Sequence, residues 1–185
     1  MKWVVRIVGG LLLLNLLGVG VLFLMGHRAG AGRIHASAEM TGSPEQVWPW
    51  LNEGEKLKQW ISWLVEVRGF DSNAGLGKKG VWVMKDENNG GTLMEIEGTC
   101  IDYAPPSLLT LQLSSGGEFD GKQSYRLTNL GSGRTRLDAD SSYHFASAFA
   151  RLMEPVISAA AEKKLAGDVA RLKSLVESKA TAAVR

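Results

Sequence analysis

The sequence predicts an α+β fold: a curved antiparallel sheet gripping one long C-terminal helix, set behind an apolar N-terminal helix. Three observations predict it. Short runs of alternating apolar and polar residues, separated by glycine-rich turns, fill the middle of the chain; this period of two is that of half-buried strands. The last 40 residues switch to the 3.6-residue period of a helix. Finally, a long helix that follows many strands needs a sheet on which to bury its apolar stripe.

The N-terminal element comes first. Ile7 to Met25 is apolar except for Asn15, and such a helix of 19 residues spans about 28 Å, near the hydrocarbon thickness of a bilayer. Residues 1–28 are therefore expected to form an uncleaved single-pass membrane anchor. A secretory signal peptide competes, because Ala29-Gly30-Ala31 has the small-x-small form of a cleavage site, but the apolar run exceeds the usual ~7–15 residues. The amino terminus, Lys2 and Arg6 outweigh Arg28 and Arg33, which puts the domain outside the cytoplasm by the positive-inside rule.

Residues 29–32 read as a linker. Ile34, Ala36, Ala38 and Met40 alternate with Arg33, His35, Ser37 and Glu39 to give the first strand. Ser43, Pro44 and Gln46 carry the start of a helix, with a capping residue, a proline in the first turn and a glutamine three residues after the cap. A second short helix, Glu55 to Trp60, precedes an extended run from Leu64 to Phe70. Strands follow at Val81–Lys85, Thr92–Tyr103, Leu109–Leu113, Phe119–Thr128 and Thr135–Phe145, with Asn88-Asn89-Gly90-Gly91 as a hairpin turn.

The long helix runs from Ser147 to Ser178, leaving 179–185 as a disordered tail. Phe149, Leu152, Met153, Val156 and Ala160 form one apolar stripe; Leu165, Val169, Leu172 and Val176 form a second, rotated from the first. Pro155 and Gly167 sit near the change and predict a bend or a break.

Composition excludes some functions. Of the 21 Lys and Arg, three (Lys2, Arg6, Arg28) fall in residues 1–32, which hold no acid. Residues 33–185 keep 18 against 19 acids, a net charge of −1. Nucleic-acid binding needs a concentrated basic face, so none is expected. One cysteine, Cys100, allows no intrachain disulfide. Its alternation points it inward, as an inert core residue. His35 and His144 point outward on neighbouring strands, but two histidines without a third ligand make a poor zinc site; no metal and no cofactor is expected. Asp138 and Asp140 with Arg134 and Arg136 read as a solvated strand face, and Gly75, Gly77 and Gly80 with Lys78 and Lys79 as a rim loop.

Four stretches bear a family likeness. SPEQVWPWL resembles the helix that the START-like helix-grip (SRPBCC) superfamily places after its first strand, and KLKQWISWLVEV its second helix with a tryptophan leading into a strand. MEIEGTCIDYAPPSLLTLQL is similar to its strand, proline corner and strand, and LAGDVARLKSLVES to the end of its C-terminal helix. The likeness covers residues 33–178 and points to the polyketide cyclase/dehydrase and lipid-transport-like branch. It implies seven antiparallel strands curled around the long helix, with a cavity between them for a hydrophobic small molecule or lipid. Relatives include enzymes, lipid carriers and regulators of other proteins. The N-terminal anchor lies outside that pattern.

Under this resemblance Met94, Phe119, Tyr125 and Tyr143 face the helix by alternation, with Trp60, Trp63 and Trp82 as walls and Gln123 among the groups that orient a ligand. Phe149 and Met153 would lid the cavity. No nucleophile or base is partnered in the sequence. The expectation is thus a membrane-anchored binding domain rather than an enzyme, with a cyclase- or aromatase-like enzyme and an interaction protein as the alternatives.

Overall fold

The computed structural model describes residues 2–27, 32–69, 75–86, 90–117 and 119–183. Residues 29–31 of the predicted linker, Asn88-Asn89 of the hairpin turn, Phe70 and residues 184–185 lie outside them. Helix α1 spans Lys2–Gly26. The domain then runs β1 (Arg33–Thr41), α2 (Pro44–Val47), α3 (Pro49–Asn52), α4 (Gly54–Trp60), β2 (Leu64–Arg68), β3 (Lys79–Asp86), β4 (Thr92–Ala104), β5 (Leu108–Ser115), β6 (Phe119–Gly131), β7 (Arg134–Phe145) and α5 (Ala148–Ala183).

All seven strands form one antiparallel sheet in the order β1-β7-β6-β5-β4-β3-β2. The first strand thus pairs with the last, as the expected curling requires. The expected pair of short helices is three, because Pro49 has no N–H to continue the helix begun at Pro44. The start at Ser43 is as read: its backbone N–H donates to Gln46 Oε1 at 2.8 Å.

α5 is one continuous helix with Pro155 inside it, not two in tandem, and it continues to Ala183, past the expected end at Ser178. Its second stripe is placed as read, with Val169, Leu172 and Val176 buried and Leu165 packed against the core. The first stripe is turned away: Phe149 is 73% exposed and Val156 52%. The buried face of that half carries Glu154 and Ser158 instead. These share one helix face with Ala161, Leu165, Asp168 and Leu172, at spacings of three and four.

Three carboxylates fasten α5 to the rest of the domain, each accepting a backbone N–H. Glu154 Oε1 takes Gly32 at 2.7 Å, Asp168 Oδ1 takes Ser62 at 3.1 Å, and Glu177 Oε1 takes Thr41 at 3.3 Å. Beneath the helix the core gathers Trp60, Leu57, Met40, Leu111, Leu137 and Leu172.

α1 touches the domain where Gly26 lies against the Arg151 carbonyl. Its large apolar side chains, Leu11 to Leu14 among them, are exposed. Among the described residues no helix is long and apolar enough to cross a membrane. The expected transmembrane span is therefore unsupported among the described residues.

Candidate ligand-binding site

Register sorts the inner face of the sheet into transverse rows. One row reads Trp82, Ile96, Ser115, Phe119 and Phe145. The next reads Gly80, Gly98, Leu113, Gly121 and Tyr143. The third carries Cys100, Leu111, Gln123, Ser141 and Ile34, and the fourth Tyr103, Leu109, Tyr125, Ala139 and Ala36. In the second row three buried glycines put no side chain on the concave face, so the sheet is recessed there. Small residues of α5, Ser158 to Ala161, continue along the helix from the point where Ser158 meets Tyr143 of the same row.

At that end lies a buried polar cluster. Glu154, only 4% exposed, accepts from Gly32 N–H and from the Ser158 hydroxyl. The Ser158 oxygen is 2.9 Å from the Tyr143 hydroxyl. The cluster ties the start of β1, α5 and β7 together. Tyr143 thus faces the helix, as expected, and is held by it.

A second cluster lies further along the helix. Trp60 is fully buried, its Nε1 donates to Trp50 O at 2.8 Å, and its ring meets Tyr125 edge-on with centroids 5.9 Å apart. Asp168, 5% exposed, accepts from Lys164 Nζ at 2.8 Å, and that ammonium sits 4.7 Å above the Trp63 ring. Tyr125 is 3% exposed, and among the described residues its hydroxyl has no hydrogen-bond partner. Burial, helped by the Asp168 charge, pushes its pKa well above the ordinary 10.0. Between the clusters Gln123 Oε1 accepts from the Ser141 hydroxyl, while its Nε2 makes only a long contact of 3.4 Å to Ser124 O.

Of the predicted lining residues, Trp82, Met94, Phe119, Gln123, Tyr125 and Tyr143 share the concave face, and Trp60 adjoins Tyr125. Trp63 is half-buried beneath Lys164. Met153 is half-buried, and Phe149 points to the outside and lids nothing in this arrangement. The sequence reading missed Glu154, Ser158 and Asp168; the signal available was their common helix face.

Other predicted features resolve simply. His35 Nδ1 pairs with Asp140 Oδ1 at 2.9 Å, while His144 lies four residues further along β7, about 13 Å away along the strand, so the two rings are not brought together. Among the described residues no three His, Cys, Asp or Glu gather as a metal site. Cys100 is buried, which pushes its thiol pKa up. Asp138 pairs with Arg136 at 3.2 Å.

Comparison with known proteins agrees with this geometry. No curated protein matches the chain. Among solved structures, a protein from Nitrosomonas europaea is 16% identical with a TM-score of 0.64, over 83% of this chain and 99% of its own. A conserved protein from Geobacillus kaustophilus is 15% identical with a TM-score of 0.63, over 78% and 94%. One from Rhodobacter sphaeroides is 19% identical with a TM-score of 0.60, over 79% and 92%. Identities this low show the fold alone. The sequence itself goes further, since residues 31–177 match the family described as polyketide cyclase / dehydrase and lipid transport. With most of its length inside that match, the chain belongs to this family, a branch of the START-like helix-grip superfamily.

Proposed function

We propose that the domain is a binding protein that holds a hydrophobic small molecule or lipid between the concave sheet and α5. The observation that carries the reading is the row of inward glycines, Gly80, Gly98 and Gly121, where the sheet offers backbone rather than side chains to whatever lies above it. The rows on either side supply aromatic and aliphatic walls, and the polar groups inside are few, as in a site for an apolar ligand. Native mass spectrometry of residues 33–185, followed by organic extraction, tests it. A co-purifying apolar molecule at near-stoichiometric amount is the expected result. A bare mass together with no saturable binding across a lipid and fatty-acid panel overturns it.

α1 is the second part of the reading: it keeps the domain at a membrane. Its leucines are exposed around the helix, and a helix apolar on all sides is one that another apolar phase covers. Its lone asparagine is satisfied within the helix, with Asn15 Nδ2 donating to Leu11 O at 2.8 Å. Lys2 and Arg6 at its start favour a domain outside the cytoplasm. Full-length protein is expected to stay with membranes through an alkaline carbonate wash while residues 33–185 stay in the supernatant; release of both refutes the attachment. An enzyme resembling polyketide cyclases is the alternative, favoured by the buried Asp168 whose charge reaches Tyr125.

A further inference from the structure

The apolar-cavity reading leaves open what kind of molecule the cavity selects, and one side chain bears on that. Tyr125 is almost wholly buried, lies on the concave face, and has no hydrogen-bond partner for its hydroxyl among the described residues. Its hydroxyl is not among the buried polar atoms fully sealed from solvent without a partner, so it keeps a trace of accessible surface. A phenol stripped of water and left unbonded is costly, and a tyrosine is usually buried with its O–H satisfied. A phenylalanine would fill the same place beside Trp60 without that cost.

We propose that the Tyr125 hydroxyl donates a hydrogen bond to a neutral carbonyl oxygen of the bound ligand, so that the domain selects apolar ketones, esters or amides over plain hydrocarbons. This rests on the apolar-cavity reading above. Three neighbouring features fix the chemistry. Burial and the Asp168 carboxylate keep the phenol protonated, and therefore a donor. The nearby cation, Lys164, is already paired with Asp168, so no free positive charge is offered there to a ligand carboxylate. Two residues along the strand, the loosely engaged Gln123 Nε2 offers a second donor on the same face. The rest of the wall, Leu109, Leu111, Trp60 and Ala139, contributes only apolar contact.

The test compares 2-acetylnaphthalene with 2-ethylnaphthalene, which match in size and differ in the carbonyl. Binding to the full chain is measured in phosphatidylcholine nanodiscs, with empty nanodiscs as the partition reference. The ketone is expected to bind about tenfold more tightly, the scale of one well-formed buried hydrogen bond. Tyr125→Phe should abolish that preference, so that the ketone and the hydrocarbon bind alike. The infrared C=O stretch of the bound ketone gives a readout that does not depend on the variant folding: it should lie below its value in a hydrocarbon solvent. Equal affinities in the wild type, a preference that survives in Tyr125→Phe, or an unshifted stretch overturns the assignment. If neither compound binds above the partition reference, the apolar-cavity reading fails and this assignment fails with it. A cavity in which Tyr125 only holds water gives binding of both compounds without preference.

Discussion

Replacing Glu154 by alanine is the sharpest test of how the domain grips its helix. The carboxylate is 4% exposed and accepts from the Gly32 N–H at 2.7 Å and from the Ser158 hydroxyl. A hydrogen bond to a charged group contributes about 1.5–3 kcal/mol. Two are lost together, and the buried Gly32 N–H is left without this acceptor. Relief of the carboxylate's desolvation offsets part of that, so the net loss is about 3 kcal/mol, at the low end for breaking a buried charged interaction. At about 2–4 °C per kcal/mol for a chain of this size, Tm falls by about 6–12 °C. Ser158→Ala keeps the Gly32 bond but removes the Ser158 contacts to both Glu154 and Tyr143, and should also destabilise. Urea unfolding followed by tryptophan emission measures it, because Trp48, Trp50, Trp60 and Trp82 are all in the core. Glu162→Ala, at an exposed position on the same helix, is the control and should stay within about 0.5 kcal/mol. A Glu154→Ala midpoint no further from the wild type than this control refutes the reasoning.

Two further outcomes follow from the site. Gly121→Ala should destabilise by about 1–3 kcal/mol, since its Cβ would sit 2.5 Å from the Ser142 carbonyl oxygen on the paired strand; an unchanged urea midpoint would count against the register given for β6 and β7. Tyr125 gives an alkaline signature. Its folded pKa is raised above the ordinary 10.0, so its contribution is fully present below pH 10 and is lost as pH rises beyond that, where the unfolded chain ionises and the folded one does not. The urea midpoint of the wild type should therefore fall more steeply than that of Tyr125→Phe between pH 9.5 and 11 (a range bracketing the ordinary tyrosine value), and parallel curves would show that the phenol is not desolvated.

How much of this was legible in the sequence depended on whether a signal was local. β1 and β4 alternate apolar with polar, and their inward residues Met40, Ile96 and Cys100 are buried as read. The second half of α5 was equally plain, because Leu165, Val169, Leu172 and Val176 are apolar at helical spacing. The first half misled for the same reason. An apolar stripe was visible at Phe149 and Val156, yet the inward face belongs to Glu154 and Ser158. What pulls them in is Gly32, 122 residues away for Glu154, and Tyr143, which meets Ser158 only through the sheet. No periodicity reports a partner so distant. Asp168 was hidden likewise, its amide partner Ser62 being 106 residues away. The break at Pro49 did have a local cause, the missing N–H, which the apolar pattern Val47, Trp48, Leu51 masked.

The three carboxylate–amide bonds along α5 also bear on which side of the helix is held more firmly. Glu154 and Glu177 hold Gly32 and Thr41, the two ends of β1. The 23 residue steps from Glu154 to Glu177 cover about 34 Å of helix, and the nine steps from Gly32 to Thr41 about 30 Å of strand. Helix and strand are thus riveted to each other at matching lengths and form a spine. On the other side, Asp168 fastens the helix to the Ser62 turn. The domain is therefore built like a book with a clasp, and under the proposed binding role a ligand would be expected to pass by release of Asp168 from Ser62 while the spine stays closed. Stopped-flow exchange of a bound probe should accelerate in Asp168→Asn and not in Glu177→Gln, and the reverse order would place the hinge at the clasp.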